Sequence, residues 1–228
     1  MEGKNVSKRL STIGLYVKPY RHILDVGTDH CLLPIHLLTH EMIDFAIASD
    51  VNVGPLNEGK RHVIDAGLVE QVDLRLGSGL TVIDEHDSVD VVIIAGMGGK
   101  LISELLEEGK EQLKHIKRLI LQPNVAEHLL RAWLFSNGYT ITDETLIEDD
   151  GILYEIIVAE KKRTTPNYSE DDLKFGPFLR IEKSTLFFKK WTELLNKKQH
   201  ILNQIPPSHQ NYNKVNYEIE QIKKEIKK

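Results

Sequence analysis

The densest chemical signal in the chain is a set of acidic residues beside glycine turns. Asp25 and Asp29 lie in Ile23-Leu24-Asp25-Val26-Gly27-Thr28-Asp29-His30, and Asp50 closes Ala46-Ile47-Ala48-Ser49-Asp50. The first string reads as a strand that ends Asp-x-Gly and opens into a helix, a turn that brings backbone close to a ligand at a sheet's carboxyl edge. A pyrophosphate would want G-x-G-x-x-G, but Asp29 stands at the second glycine position. A carboxylate there repels phosphate and suits a ligand with an ammonium or sulfonium group, as S-adenosylmethionine has. Asp50, 25 residues after Asp25, is placed to accept the ribose hydroxyls of an adenosine, a requirement that NAD shares.

Two further turns continue the pattern. Leu76-Gly77-Ser78-Gly79-Leu80 is a glycine-lined turn that could lie against an adenine ring, with Ser78 as a polar contact. Asp90-Val91-Val92-Ile93-Ile94-Ala95-Gly96-Met97-Gly98-Gly99 runs apolar and then glycine-rich, the signature of a strand buried on both faces that opens into a helix. Removing side chains at Gly96, Gly98 and Gly99 clears space where a transferred group and its acceptor must meet. Metal chemistry has no counterpart here, since neither the ten histidines nor the single cysteine shows ligand spacing. Cys31 reads as a small core residue.

These turns need a sheet to hold them. Short β-branched runs at His22–Gly27, Phe45–Asp50, Val72–Gly77, Val89–Gly96, Arg118–Pro123, near Tyr139–Glu144 and at Ile152–Glu160 read as strands. Helical spacing fills Leu32–Glu41, Leu56–Ala66, Lys100–Lys114, and a segment from the N-cap candidate Asn124 to Asn137. This alternation predicts an α/β doubly wound, Rossmann-like sheet of seven strands. The turn Glu148-Asp149-Asp150-Gly151 leaves no room for a helix and predicts a closing antiparallel hairpin.

After residue 160 the character changes. KKRTTPNYSEDD reads as a linker, and two helices follow, Pro177–Ile205 and Asn211–Lys228, broken at Pro206-Pro207-Ser208. Val215, Ile219, Ile222 and Ile226 form an apolar seam, so the pair predicts an antiparallel, coiled-coil-like helical hairpin. The expected organisation is a catalytic domain over residues 1–160 and a helical extension over 161–228.

Charge divides at the same place. The 228 residues carry a net charge of −5, which alone speaks against a uniformly basic nucleic-acid binder. Residues 161–228 hold 15 basic and 8 acidic side chains, a net of +7, and residues 1–160 hold 14 and 26, a net of −12. A basic arm on an acidic domain is an electrostatic footprint for a polyanion. The polar string MEGKNVSKRL has no apolar leader core, and no run of about 18 apolar residues occurs, so a cytoplasmic protein without a membrane span is expected.

The strings SKRL, DVGTDHCLLP, AGMGG, LILQPN and DGILYEIIVAE, in this order, resemble the bacterial tRNA adenine-22 N1-methyltransferase family, a class I S-adenosylmethionine-dependent group. The resemblance covers about the first 160 residues, and the basic extension is similar in type to that family's C-terminal coiled-coil-like domain. It implies that Asp25, Gly27, Thr28, Asp29 and His30 line the methionine end of the cofactor and Asp50 its ribose. It further implies that Gly77, Ser78 and Gly79 flank the adenine, and that Ala95, Gly96, Met97 and Gly98 border the transfer site. The resemblance leads one to expect an acidic residue where Ser78 stands. No [DNS]-P-P-[YFW] tetrapeptide follows the fourth strand, which argues against an exocyclic amine as acceptor.

For an N1 acceptor, Asp29 is expected to meet the charge that develops on the base, and Gln122 and Asn124 to hold its polar edge. Lys8, Arg9, Lys189, Lys190, Lys197 and Lys198 are the expected contacts to tRNA. The resemblance implies tRNA as the partner, no metal is expected, and the chain is expected to be a monomer. An NAD-dependent oxidoreductase, or a non-catalytic RNA-binding protein on the same fold, is the alternative reading.

Overall fold

The structure, a computed structural model, describes residues 6–164 and 166–227. Two compact units divide the chain, Met1–Pro177 and Phe178–Lys228.

In the first unit, helix α1 (Lys8–Leu15) starts at Ser7, whose hydroxyl accepts from Leu10 N. Strands β1 (His22–Val26), β2 (Phe45–Asp50), β3 (Val72–Leu76), β4 (Val91–Gly98), β5 (Arg118–Val125), β6 (Tyr139–Asp149) and β7 (Ile152–Lys161) form one sheet. Its order is β3-β2-β1-β4-β5-β7-β6. The β3-β2-β1-β4-β5 part is parallel, while β7 pairs antiparallel with both β5 and β6. Helices α2 (Leu32–Thr39), α3 (Val53–Asp65), α4 (Gly99–Glu108) and α5 (Glu127–Ser136) make the crossovers.

The apolar strand runs are buried on both faces, as a doubly wound sheet requires. Leu24, Val26, Val92, Ile94, Leu119 and Leu121 pack into one core layer, and Ile23, Val91, Ile93 and Ile120 into the other. Successive strand residues therefore serve opposite layers. Cys31 is fully buried in the second layer, and burial pushes its thiol up to about 12.

Several local outcomes differ from expectation. β5 continues through Asn124 to Val125, so Asn124 is a strand residue, and Ala126, in the left-handed region at φ 60°, caps α5 instead. The expected Lys100–Lys114 helix stops at Glu108, with Gly109 as its cap and a short 3-10 turn at Gln112–Lys114. The hairpin turn tightens to two residues, Asp150 and Gly151, with φ of 48° and 76° and Asp149 paired to Ile152. Positive φ at both central positions is the geometry that matches strand twist.

Beyond the sheet, α6 (Glu170–Phe175) begins with a capping box in which Ser169 and Asp172 bond each other's backbone N–H. The second unit holds α7 (Leu179–Glu182), α8 (Thr185–Gln204) and α9 (Tyr212–Lys227). The single helix expected from Pro177 is split because Lys183 turns left-handed and Ser184 caps a new start, accepting from Phe187 N. α8 and α9 pack against each other, with Ile219 and Ile222 buried. Glu225 is buried too, paired with Arg180 at 2.8 Å. Lys228 lies outside the described residues.

Candidate active site

Parallel strands leave their carboxyl ends at one edge, and the loops after β1, β2, β3 and β4 meet there. They enclose a cleft of about 1190 Å³, lined among others by Asp25, Gly27, Thr28, Asp29, Asp50, Gly77, Ser78, Gly79, Ala95, Gly96, Met97 and Asn124. Arg9 from α1 and Tyr154 from β7 complete the wall. His30 and Gly98 are not among the residues that line it. The His30 carbonyl oxygen is 3.0 Å from His62 Nδ1, and Gly98 ends β4 and caps α4.

At the β1 end the turn is held by backbone bonds. Gly27 N and Thr28 N both donate to Ser49 O on β2, at 2.8 and 2.9 Å. Those two amides are spent on protein and cannot cradle a phosphate. Gly27 has φ +69°, and a Cβ there would meet Met97 Cε at 2.4 Å. Asp29, His30 and Cys31 follow with φ of 36°, 59° and 60°, a left-handed run that side chains adopt only under constraint from their surroundings. The run turns the Asp29 side chain outward to 75% exposure, with one oxygen 3.1 Å from His30 Nε2. It caps no helix, since the N-cap of α2 is Cys31.

Asp25 differs sharply. It is buried at the end of β1 and accepts a 2.7 Å hydrogen bond from the Thr28 hydroxyl. Burial pushes its carboxyl up to about 6, the Thr28 bond and the Arg9 charge oppose the rise, and Asp50 adds to it. Asp50 Oδ1 accepts from Asn52 N at 2.8 Å and from Asn52 Nδ2 at 3.3 Å. No such bond from Asn52 goes to Oδ2, and the residue lines the cleft.

The far end of the cleft is built by amides. Gln122 is fully buried and does not line the cleft. Its oxygen accepts from Arg9 Nη1 at 2.6 Å and from Gly96 N at 3.1 Å, and its nitrogen donates to Asn124 Oδ1 at 3.0 Å. The sequence expects both Gln122 and Asn124 at the base's polar edge; Gln122 lies buried with its amide bonded to Arg9, Gly96 and Asn124, and the exposed Asn124 lines the cleft. Arg9 is also committed: its backbone N–H donates to Asp149 Oδ2 at 2.9 Å, and its guanidinium lies 5.3 Å from the Tyr154 ring centre. The sequence marks Tyr154 only by its place in a strand and in the string DGILYEIIVAE, with no role assigned to it.

Among the expected RNA contacts, Lys8 and Lys197 are exposed. Lys198 is ion-paired with Glu218 within the helical hairpin, and Lys190 Nζ lies 5.6 Å from the Trp191 ring. Among the described residues no group of three or more His, Cys, Asp or Glu could hold a metal ion.

Comparison with known proteins places this geometry. Residues 23–228 match the family model described as "TrmK: tRNA (adenine(22)-N(1))-methyltransferase". A tRNA (adenine(22)-N(1))-methyltransferase of Bacillus subtilis is 39% identical over 209 residues, 90% of this chain and 87% of that protein. The structure of a Streptococcus pneumoniae protein in complex with S-adenosyl-L-methionine superposes with a TM-score of 0.90 at 39% identity, covering 97% of this chain and 100% of the other. The M. capricolum TrmK structure with S-adenosyl-homocysteine gives 0.89 at 30% identity, covering 97% and 98%.

Proposed function

The chain belongs to the tRNA (adenine(22)-N(1))-methyltransferase family, and from that membership we propose how its cleft performs the reaction. It is an S-adenosyl-L-methionine-dependent enzyme that methylates N1 of adenine 22 in tRNA. The cofactor supplies a sulfonium methyl, which N1 of the base accepts as the thioether leaves, so the base becomes cationic.

The donor set of the cleft fits that cofactor. Two carboxylates at the ends of adjacent parallel strands suit an ammonium, a sulfonium and a ribose diol, and the turn amides spent on Ser49 disfavour a pyrophosphate. That combination carries the reading, and nothing favours the oxidoreductase. Asp25 faces the cationic end of the ligand, Asp50 accepts from the ribose through Oδ2, and Gly77, Ser78 and Gly79 flank the adenine. Asp29, extended toward solvent from a constrained turn, meets the cationic base or takes its N6 proton. Asn124 holds the base edge and Gln122 acts behind it. Because N1 lies on the pairing edge, the target adenine must be exposed before it can react.

The basic helical unit supplies backbone contacts that give affinity without sequence choice. Lys197 is the exposed contact on α8, with Lys189, Lys190 and Lys198 on the same helix, and Lys8 serves from the catalytic unit. We place the enzyme in the cytoplasm, with its tRNA, acting as a monomer. Among the described residues no helix is long and apolar enough to cross a membrane. A thermal-shift comparison tests the cofactor: S-adenosylmethionine should raise the midpoint and NAD leave it unchanged, and the reverse would return the oxidoreductase reading.

A further inference from the structure

Gly96 sits where the pairing of β4 with β5 slips, between Ala95 and Met97, with φ +80°. Both of its peptide groups are taken up by side chains of β5. Gly96 N donates to Gln122 Oε1 at 3.1 Å, and Gly96 O accepts from Asn124 Nδ2 at 2.8 Å. Gln122 Nε2 closes the ring by donating to Asn124 Oδ1 at 3.0 Å.

An amide side chain can usually exchange its oxygen and nitrogen by flipping, and its neighbours decide which way it stands. Here the deciding groups cannot flip. A backbone N–H and the Arg9 guanidinium only donate, so the Gln122 oxygen must face them and its NH₂ must face Asn124. The Gly96 carbonyl only accepts, so the Asn124 NH₂ must face it. Asn124 is thereby fixed with Oδ1 as an acceptor that has one lone pair in use and one to spare.

We infer that this ring selects adenine: Gln122 is a positioning residue that holds Asn124 Oδ1 as the acceptor for the N6 amino group of the target base. The inference rests on the cleft being the methyl-transfer site and adds which base it admits. Guanine or hypoxanthine would set a carbonyl oxygen against Asn124 Oδ1 and would carry a proton on N1 in place of the reacting lone pair. An acceptor that the bound base covers and leaves facing another acceptor is the costly outcome that gives polar sites their selectivity. The N6–H donor also strengthens once the base becomes cationic, so the contact favours the product-like charge distribution.

The test uses two tRNA transcripts that differ only at residue 22, one with adenine and one with purine, which keeps N1 and lacks the amino group. The readout is the ratio of kcat/KM for adenine over purine, with the ratio of tRNA affinities as a measurement that needs no turnover. In Asn124→Ala the ratio should fall about tenfold from the wild-type value, because the adenine rate drops and the purine rate does not. Gln122→Glu keeps an acceptor for Arg9 and Gly96 but removes the donor that orients Asn124, and its ratio should fall in the same direction. Equal loss on both transcripts in Asn124→Ala, leaving the ratio unchanged, would show that the ring only braces the strands and would overturn the inference while the methyltransferase reading stands. If wild-type protein methylates neither transcript, that reading fails, and an affinity ratio near one would overturn the inference as well.

Discussion

The Thr28 hydroxyl donates a 2.7 Å hydrogen bond to Asp25 Oδ2, and both residues are buried at the mouth of the β1 turn. The bond partly offsets the burial that raises the Asp25 carboxyl to about 6. Its folded value lies above the ordinary carboxylate value of 3.8, so the stability linked to the protonated form is fully present below about 4 and is lost as pH rises through 6. A cationic ligand needs the ionised form, which gives the opposite trend in binding. S-adenosylmethionine affinity should fall as pH drops below 6, and calorimetry across pH 5 to 8 on Thr28→Val should find the midpoint moved upward. A midpoint that stays in place would remove Asp25 from the cofactor site.

Asp50 already spends Oδ1 on Asn52, which leaves Oδ2 for the ligand. Asp50→Ala should weaken S-adenosylmethionine by roughly 1.5–3 kcal/mol, the scale for hydrogen bonds to a charged group. Unchanged calorimetric affinity would put the ribose elsewhere.

Asp29 is solvent-facing and paired only with His30 among the contacts described. Asp29→Asn keeps the size and the turn but removes the charge. Cofactor affinity should stay within several-fold while most turnover is lost, and a single-turnover assay at saturating cofactor separates the two. Turnover like that of the wild type would sink the assignment.

How much of this could be read from the chain alone depends on the range of the interaction. The strands, their alternation with helices and the presence of a hairpin turn within Glu148–Gly151 follow from local period and turn chemistry. Which arm of the final hairpin joins β5 does not, because the crossover rule that orders parallel strands says nothing about a hairpin. The carboxylates at Asp25 and Asp50 were legible because each ends a strand. Gln122 and Asn124 are two apart and share a strand face, yet one is buried and the other meets the cleft. The pairing of β4 with β5 slips on either side of Met97, passing over Gly96 on one strand and Asn124 on the other, and that irregularity depends on two strands apart in the chain. Arg9 looked like a phosphate contact beside Lys8, and its bonds to Gln122 and Asp149 join residues 113 and 140 positions away.

Charge on the helical arm has the same lesson. Lys197 is exposed whereas Lys198 is held by Glu218. Neutralising Lys189, Lys190, Lys197 and Lys198 together should weaken tRNA binding and flatten its salt dependence without altering cofactor affinity. Lys197→Ala alone should lower the salt slope by about 1, and Lys198→Ala by less. An unaltered slope in the quadruple variant would place the RNA on another surface.

Primer extension on an unmodified tRNA incubated with the protein and S-adenosylmethionine tests the central claim most directly. A methyl on N1 blocks the pairing edge, so reverse transcriptase should halt one residue before adenine 22, only with cofactor present, and not on a transcript carrying guanine there. Methyl incorporation without that stop, or a stop at another residue, would contradict the assignment of N1 of adenine 22 as the acceptor.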